Sequence, residues 1–338
     1  MKNQSPKTLG WSLKRFLGEY LPLQRAFSPN TIQSYRDSLK LLLLFIAGNR
    51  RRISDLSVAD LSPAKITAFL EHIETKRGNG PTTRNVRLSA IHSFFDYLGM
   101  ENPEHLDQVD RVLNVRFKRL DHRAIDYLQA DELRAILDGI DQSTANGRRD
   151  CVLLTFMFNT GARVQEVVAL RAVDLRLATP PSVRLFGKGR KERICPLWPE
   201  SAQLLKQYLN DSGRDAKDDT PLFRNHRGNC LTRFGVRLIL NRHVAKAAKT
   251  LPVLKTKRIH PHSLRHSTAV HLLRSGTDLS SIAHWLGHSH LTTTHQYVGI
   301  DLEAKRNALA KLEPMTASAG ESKRWNTSEE LLKWLESL

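Results

Sequence analysis

Residues 260–297 read HPHSLRHSTAVHLLRSGTDLSSIAHWLGHSHLTTTHQY, and the spacing of apolar and charged residues there decides between the folds open to a chain of this size. Pro261 stands where helices begin, because its fixed φ suits the first turn and its missing N–H has no partner there anyway. Helical periodicity predicts one helix over about 263–275 and a second over 278–286, joined through Gly276. Such a pair resembles a helix-turn-helix, which would make the protein a DNA-binding regulator without chemistry. His262 and Arg265, however, are three apart and share one helix face. His288 follows in Leu286-Gly287-His288-Ser289, and Tyr297 stands nine residues beyond it.

Upstream lie two further clusters. In Thr160-Gly161-Ala162-Arg163-Val164-Gln165-Glu166 a glycine turn precedes Arg163 and Glu166, whose i, i+3 spacing puts a guanidinium and a carboxylate on one side of a helix. Residues 182–186 and 191–197 carry β-type side chains around Gly187-Lys188-Gly189-Arg190, which predicts a hairpin with Lys188 at its tip. Helices are expected near 130–139, 148–159 and 163–170. Together these elements define a domain over 128–315 that is mainly α with a small β hairpin.

The N-terminal part reads as a small helical bundle over 8–100. Leu13, Phe16, Leu17, Tyr20 and Leu21 form one apolar stripe. Ser28-Pro29 and Ser62-Pro63 are each a cap followed by proline at the first helical position. A fourth helix is expected over 82–98, with Gly99 as its stop. On it Arg84 and Arg87, three apart and near Lys76 and Arg77, are candidates for clamping DNA phosphates; an ordinary solvated helix face accounts for them equally well. Between residues 101 and 127 periodicity fades and basic residues accumulate, as in a basic linker.

Composition bounds the function. The 338 residues exceed what one core usually serves, so two domains are expected. Lys and Arg total 52 against 34 Asp and Glu, a formal net charge of +18, which points to a polyanionic partner, double-stranded DNA foremost. The three cysteines, Cys151, Cys195 and Cys230, form no CxxC pair, as expected of a reducing cytoplasm. The most apolar run, 41–47, is far shorter than the ~20 residues a membrane span needs, so no membrane partner is expected. A metal-dependent nuclease would explain the histidines of 260–295, but that segment has Asp278 as its only carboxylate and no HExxH. A GxxxxGK[ST] phosphate loop is also missing. No metal and no cofactor is expected.

An arginine, a hairpin lysine, a His-x-x-Arg, a second histidine and a tyrosine, in this order, resemble the signature of the tyrosine site-specific recombinases, the phage-integrase family that includes the Xer recombinases. The resemblance spans about residues 8–312. It implies Arg163, Lys188, His262, Arg265, His288 and Tyr297 as the catalytic set, with Glu166 in support. It also implies a SAM-like core-binding N-terminal domain, two domains closing on duplex DNA, and a homo- or hetero-tetramer exchanging strands through a Holliday junction. A type IB topoisomerase shares the chemistry and is the enzymatic alternative.

The residue types suit that chemistry. A phosphodiester gains negative charge as an oxygen attacks it, and two guanidiniums, always protonated and able to grip two oxygens at once, supply countercharge. A tyrosine hydroxyl, with a pKa of about 10, needs cations or a base beside it to attack. The energy of the broken bond is kept in a 3′-phosphotyrosyl link, so no ATP is required. Lys188, by resemblance, is the acid that protonates the departing 5′ oxygen, although Lys191 lies close by. His260, His266, His271, His284, His290 and His295 have no place in this scheme. Beyond a predicted helix at 301–312, residues 316–322 read as a connector. Thr327 and Glu330 match a capping box before Leu331, Trp334, Leu335 and Leu338, a short apolar stripe suited to docking on its own domain or on a neighbouring protomer. The added tail favours a mobile-element integrase or transposase.

Overall fold

The computed structural model describes residues 8–49, 51–120, 125–187 and 191–288, together with Thr294, Tyr297 and Lys333. Lys188, the predicted helix at 301–312 and the apolar stripe of the tail therefore lie outside the described residues. The chain divides into two compact units, residues 1–123 and 124–338.

The first unit is helical: α1 (Leu9–Arg15), α2 (Pro29–Ala47), α3 (Pro63–Thr75), α4 (Pro81–Glu101) and α5 (Leu106–Leu113). The hydroxyls of Thr8, Ser28 and Ser62 accept from the backbone N–H groups of Trp11, Thr31 and Lys65, so three helix starts are capped by their own sequence. Phe16, Phe69, Phe94 and Phe95 fill the core. Three expectations need correction. After α1 the chain widens into π-helical turns over Phe16–Gln24, where Pro22 has no N–H to keep the ladder regular. And α4 runs on through Gly99, which serves close packing: a Cβ there would meet Val109 Cγ1 at 3.3 Å and Leu106 Cδ2 at 3.5 Å. Those partners belong to α5, so residues 106–113, read as linker, are a helix that buries Val109 and Val112.

Arg84 is also committed to this unit. It is 7% exposed, its Nε lies 3.6 Å from Glu74, and its Nη1 donates to the Arg116 carbonyl at 3.2 Å. Arg87, one turn on, lines an open groove with Asn30, Gln33, Asp37 and Thr83. Of the two candidate phosphate clamps, Arg87 is the one that lines an open groove.

The second unit comprises α6 (Ala130–Asp138), α7 (Ala145–Thr160), α8 (Val164–Ala169), β1 (Leu175–Arg176), β2 (Ser182–Phe186), β3 (Glu192–Pro196), α9 (Pro199–Asp211), α10 (Arg233–Ala247), α11 (Pro261–Arg274) and α12 (Leu279–Leu286). The strands form an antiparallel sheet in the order β1-β2-β3, with Ser182 opposite Pro196 and Phe186 opposite Glu192. The hairpin is thus as expected, with β1 added at its edge. α7 lies at the centre of the core through Leu153, Leu154, Phe156 and Met157. It is tied to α10 by the fully buried Asp150, which pairs with Arg149, Arg242 and His243. It is tied to α11 by Thr268, whose hydroxyl donates to the Phe158 carbonyl at 2.6 Å. Among the described residues no helix is long and apolar enough to cross a membrane.

Candidate active site

Two left-handed glycines shape the site. Gly161 ends α7 at φ +59, and a Cβ on it would stand 2.5 Å from Leu286 Cδ2, so any other residue strains the backbone and displaces Leu286. Gly287 ends α12 at φ +65 in a Schellman turn: its N–H bonds the His284 carbonyl at 3.1 Å, and the His288 N–H reaches back to Ala283 at 2.9 Å. This turn satisfies the carbonyls of residues 283 and 284. It leaves the next three, where the negative end of the helix dipole lies, to other donors.

Three arginines take them. Arg193 donates through Nε to the Trp285 carbonyl (3.0 Å), Arg265 through Nη2 to Leu286 (2.7 Å) and Arg163 through Nη2 to Gly287 (3.1 Å). Arg265 also donates to the Gly161 carbonyl at 2.7 Å. The buried carboxylate of Glu166 gathers the other two: Arg193 at 3.0 and 2.7 Å, and the Nη1 and backbone N–H of Arg163 at 3.0 and 2.9 Å. Two guanidiniums therefore share one carboxylate while Arg265 has only carbonyls for partners, and the surplus is positive. Burial, followed by the charges of Arg163 and Arg193, pushes Arg265 down to about 9, still protonated at neutral pH. Burial also favours the neutral form of Glu166, but the ion pair with Arg193 and the bonds from Arg163 outweigh it and hold the carboxyl below its usual range. The cluster is built to receive an anion.

The histidines flank it. His288 is fixed by its Schellman amide and by a 2.8 Å bond between Nδ1 and the Thr294 hydroxyl. Burial, then Arg265 and Arg163, hold its imidazole down to about 4. His262 shows its ring to solvent, yet the protein around it, with His260, Arg265 and Arg163, also disfavours its protonation. It stands on a groove lined by Val164, Arg233, Phe234, Arg237 and His260. Tyr297, 1% exposed, packs against Ala269, Val270, Ile282 and Leu286, and its hydroxyl lies 2.8 Å from Nδ1 of His266. Among the described residues no set of histidine, cysteine or carboxylate side chains converges as for a metal ion.

Sequence reasoning brought Arg163, Glu166, His262, Arg265, His288 and Tyr297 into consideration. The structure gathers Arg163, Glu166, Arg265 and His288 at the end of α12, with Tyr297 in the apolar cluster of Leu286 and its hydroxyl on His266, the residue after Arg265. Arg193 and His266 were missed as members of the site. For Arg193 a signal existed: it pairs across the hairpin with the buried Leu185, and with Cys195 it faces inward, while the apolar Ile194 between them is 71% exposed. A charge on the inward face of a strand demands a buried partner.

Comparison with known proteins identifies the family. Residues 126–303 match the model of the phage integrase family, and residues 13–102 match the phage integrase N-terminal SAM-like domain. The chain belongs to the phage integrase family, the tyrosine recombinases, which cut and rejoin DNA. It is 39% identical to the putative integrase/recombinase y4rC of Sinorhizobium fredii, over 96% of this chain and 97% of that one. It is 33% identical to the tyrosine recombinase XerC of Bacillus subtilis, over 88% and 94% of the two chains. Its fold is similar to that of the XerH site-specific recombinase solved with its palindromic difH substrate, with a TM-score of 0.66, 22% identity, and 85% and 81% of the two chains covered.

Proposed function

We propose that Tyr297 is the nucleophile of a DNA strand transfer in which Arg163 and Arg265 bind the non-bridging oxygens of the scissile phosphate. His262 and His288 add hydrogen bonds to the same oxygens as charge builds on them, and Lys188 protonates the departing 5′ oxygen. The observation that carries this reading is the pair of guanidiniums hung on the adjacent carbonyls of Leu286 and Gly287, one residue from His288, with the Tyr297 ring packed in the cluster that holds Leu286 and its hydroxyl on His266, the residue after Arg265. Glu166 aims Arg163 and does not itself meet the DNA. The first unit grips the duplex, with Arg87 on a phosphate.

The reaction we assign is integration, excision or transposition of a mobile element, carried out in the cytoplasm by a tetramer on paired sites. The y4rC relative, matched end to end at 39%, bears the name of an integrase/recombinase and supports that assignment. The test is a suicide substrate that traps the cleaved strand. The chain forms a covalent adduct with its DNA, in the presence of a chelator as in its absence, and Tyr297→Phe abolishes the adduct while DNA affinity persists. An adduct undiminished in Tyr297→Phe refutes the assignment.

A further inference from the structure

We propose that His266 is a catalytic residue of this chain, the base that takes the phenolic proton of Tyr297 during attack and returns it when the strand is resealed. The proposal rests on the reading of Tyr297 as nucleophile and goes beyond it, because none of the groups assigned above is given that proton.

The argument begins with position. His266 follows Arg265 on α11, and its Nδ1 lies 2.8 Å from Tyr297 Oη, inside the reach a proton transfer requires. The two ring centroids are 5.6 Å apart and tilted by 57°. Tyr297 is buried, so bulk water has little access to the hydroxyl, and a protein group must carry its proton away. The groups around His266 are His262 and Arg265 on its own helix, His260 at the cap of that helix, and His288 and Tyr297 on the chain beyond α12. Burial, then His262, His260 and Arg265, hold the imidazole down to about 4, so at neutral pH it is unprotonated and has a lone pair to offer. A phosphodiester arriving at Arg163 and Arg265 cancels part of the positive field and makes the imidazole more basic when it must accept.

The step balances. The Oη–H bond breaks as the Oη–P bond forms, and the proton passes to Nδ1. The P–O5′ bond breaks, and the leaving oxygen takes a proton from the acid. Rejoining runs the same events backwards. No metal, redox partner or nucleotide enters.

Single-turnover cleavage of a suicide substrate by the full-length protein tests this. His266→Ala and His266→Asn are compared, the asparagine amide standing where Nδ1 stood and able to hold the hydroxyl but not to take its proton. Both are expected to cleave about 10²–10⁴-fold more slowly with DNA affinity unchanged. A fluorinated tyrosine at position 297, whose hydroxyl ionises more readily, is expected to recover most of the lost rate in either variant. A His266→Asn rate within a few fold of the parent makes the residue a holder of the hydroxyl only and overturns the proposal. So does a fluorotyrosine that brings no recovery, or loss of DNA affinity in both variants. Failure of the underlying reading looks different: the adduct then survives Tyr297→Phe.

Discussion

Replacing Arg193 by methionine removes the guanidinium and keeps much of the side-chain volume. Three bonds go: the two to Glu166, at 3.0 and 2.7 Å, and the one to the Trp285 carbonyl, at 3.0 Å. The Glu166 side chain is 2% exposed and that of Arg193 11%, so the pair is desolvated. Breaking such a pair by removing one partner costs about 3–5 kcal/mol. The lower end applies here, because Oε1 keeps Arg163 Nη1 and Oε2 keeps the Arg163 amide. A loss of about 3 kcal/mol at neutral pH is expected, read by urea unfolding of the full-length chain with the transition of the second unit followed. The pH dependence has a definite sign. In the parent, Glu166 is held below its usual range, so its contribution is present above the unfolded pKa and is lost as pH falls through the folded one. In the variant only the bonds from Arg163 still oppose burial, the carboxyl is held down less than in the parent, and acid relieves the strain at a higher pH. The gap between the two proteins therefore narrows below about pH 5. Adding Glu166→Gln to Arg193→Met should cost less than the two single changes summed, by at least about 0.5 kcal/mol. A loss under about 1 kcal/mol, well below the roughly 3–5 kcal/mol of a broken buried pair, or a gap that widens on acidification, refutes the account of Arg193 as the charge partner of Glu166.

Three further outcomes follow from the same geometry. Gly161→Ala must accept a left-handed φ, at about 1–2 kcal/mol, and push Leu286 away from a 2.5 Å approach, at about 1–3 kcal/mol; the same unfolding experiment reads the sum. Arg265→Lys cannot hold the Gly161 and Leu286 carbonyls together, so adduct formation falls about 10²–10³-fold in single-turnover cleavage while DNA affinity changes little. Arg87→Ala lowers the slope of log K against log salt by about 0.9, one phosphate contact, whereas Arg84→Ala leaves the slope alone and destabilises the first unit through loss of its Glu74 and Arg116 contacts.

What the sequence made legible was local. Caps at Ser28 and Ser62, prolines at first helical positions, the hairpin around Gly187 and the i, i+3 pairing of Arg163 with Glu166 are all settled within a few residues, and each appears where expected. What it hid depended on partners far along the chain. Gly99 looks like a helix stop until Val109 packs on it, and Arg84 looks like a solvated cation until Glu74 and the Arg116 carbonyl close around it. Arg193 was concealed by its neighbour, since Ile194, the apolar residue, is the one that faces out. His266 was set aside because the signature has no role for a histidine at that position; only the turn that brings Tyr297 to it reveals one.

The crossed suspension of the arginines has a genetic consequence. Arg265 hangs partly from Gly161, two residues before Arg163, while Arg163 and Arg193 hang from the same turn as Arg265 and meet again at Glu166. Damage at any one of these positions slackens the others, and combined lesions cost little more than the first. In a collection of mutants, positions 161, 163, 166, 193, 265 and 287 would behave as a single locus, drifting together or not at all.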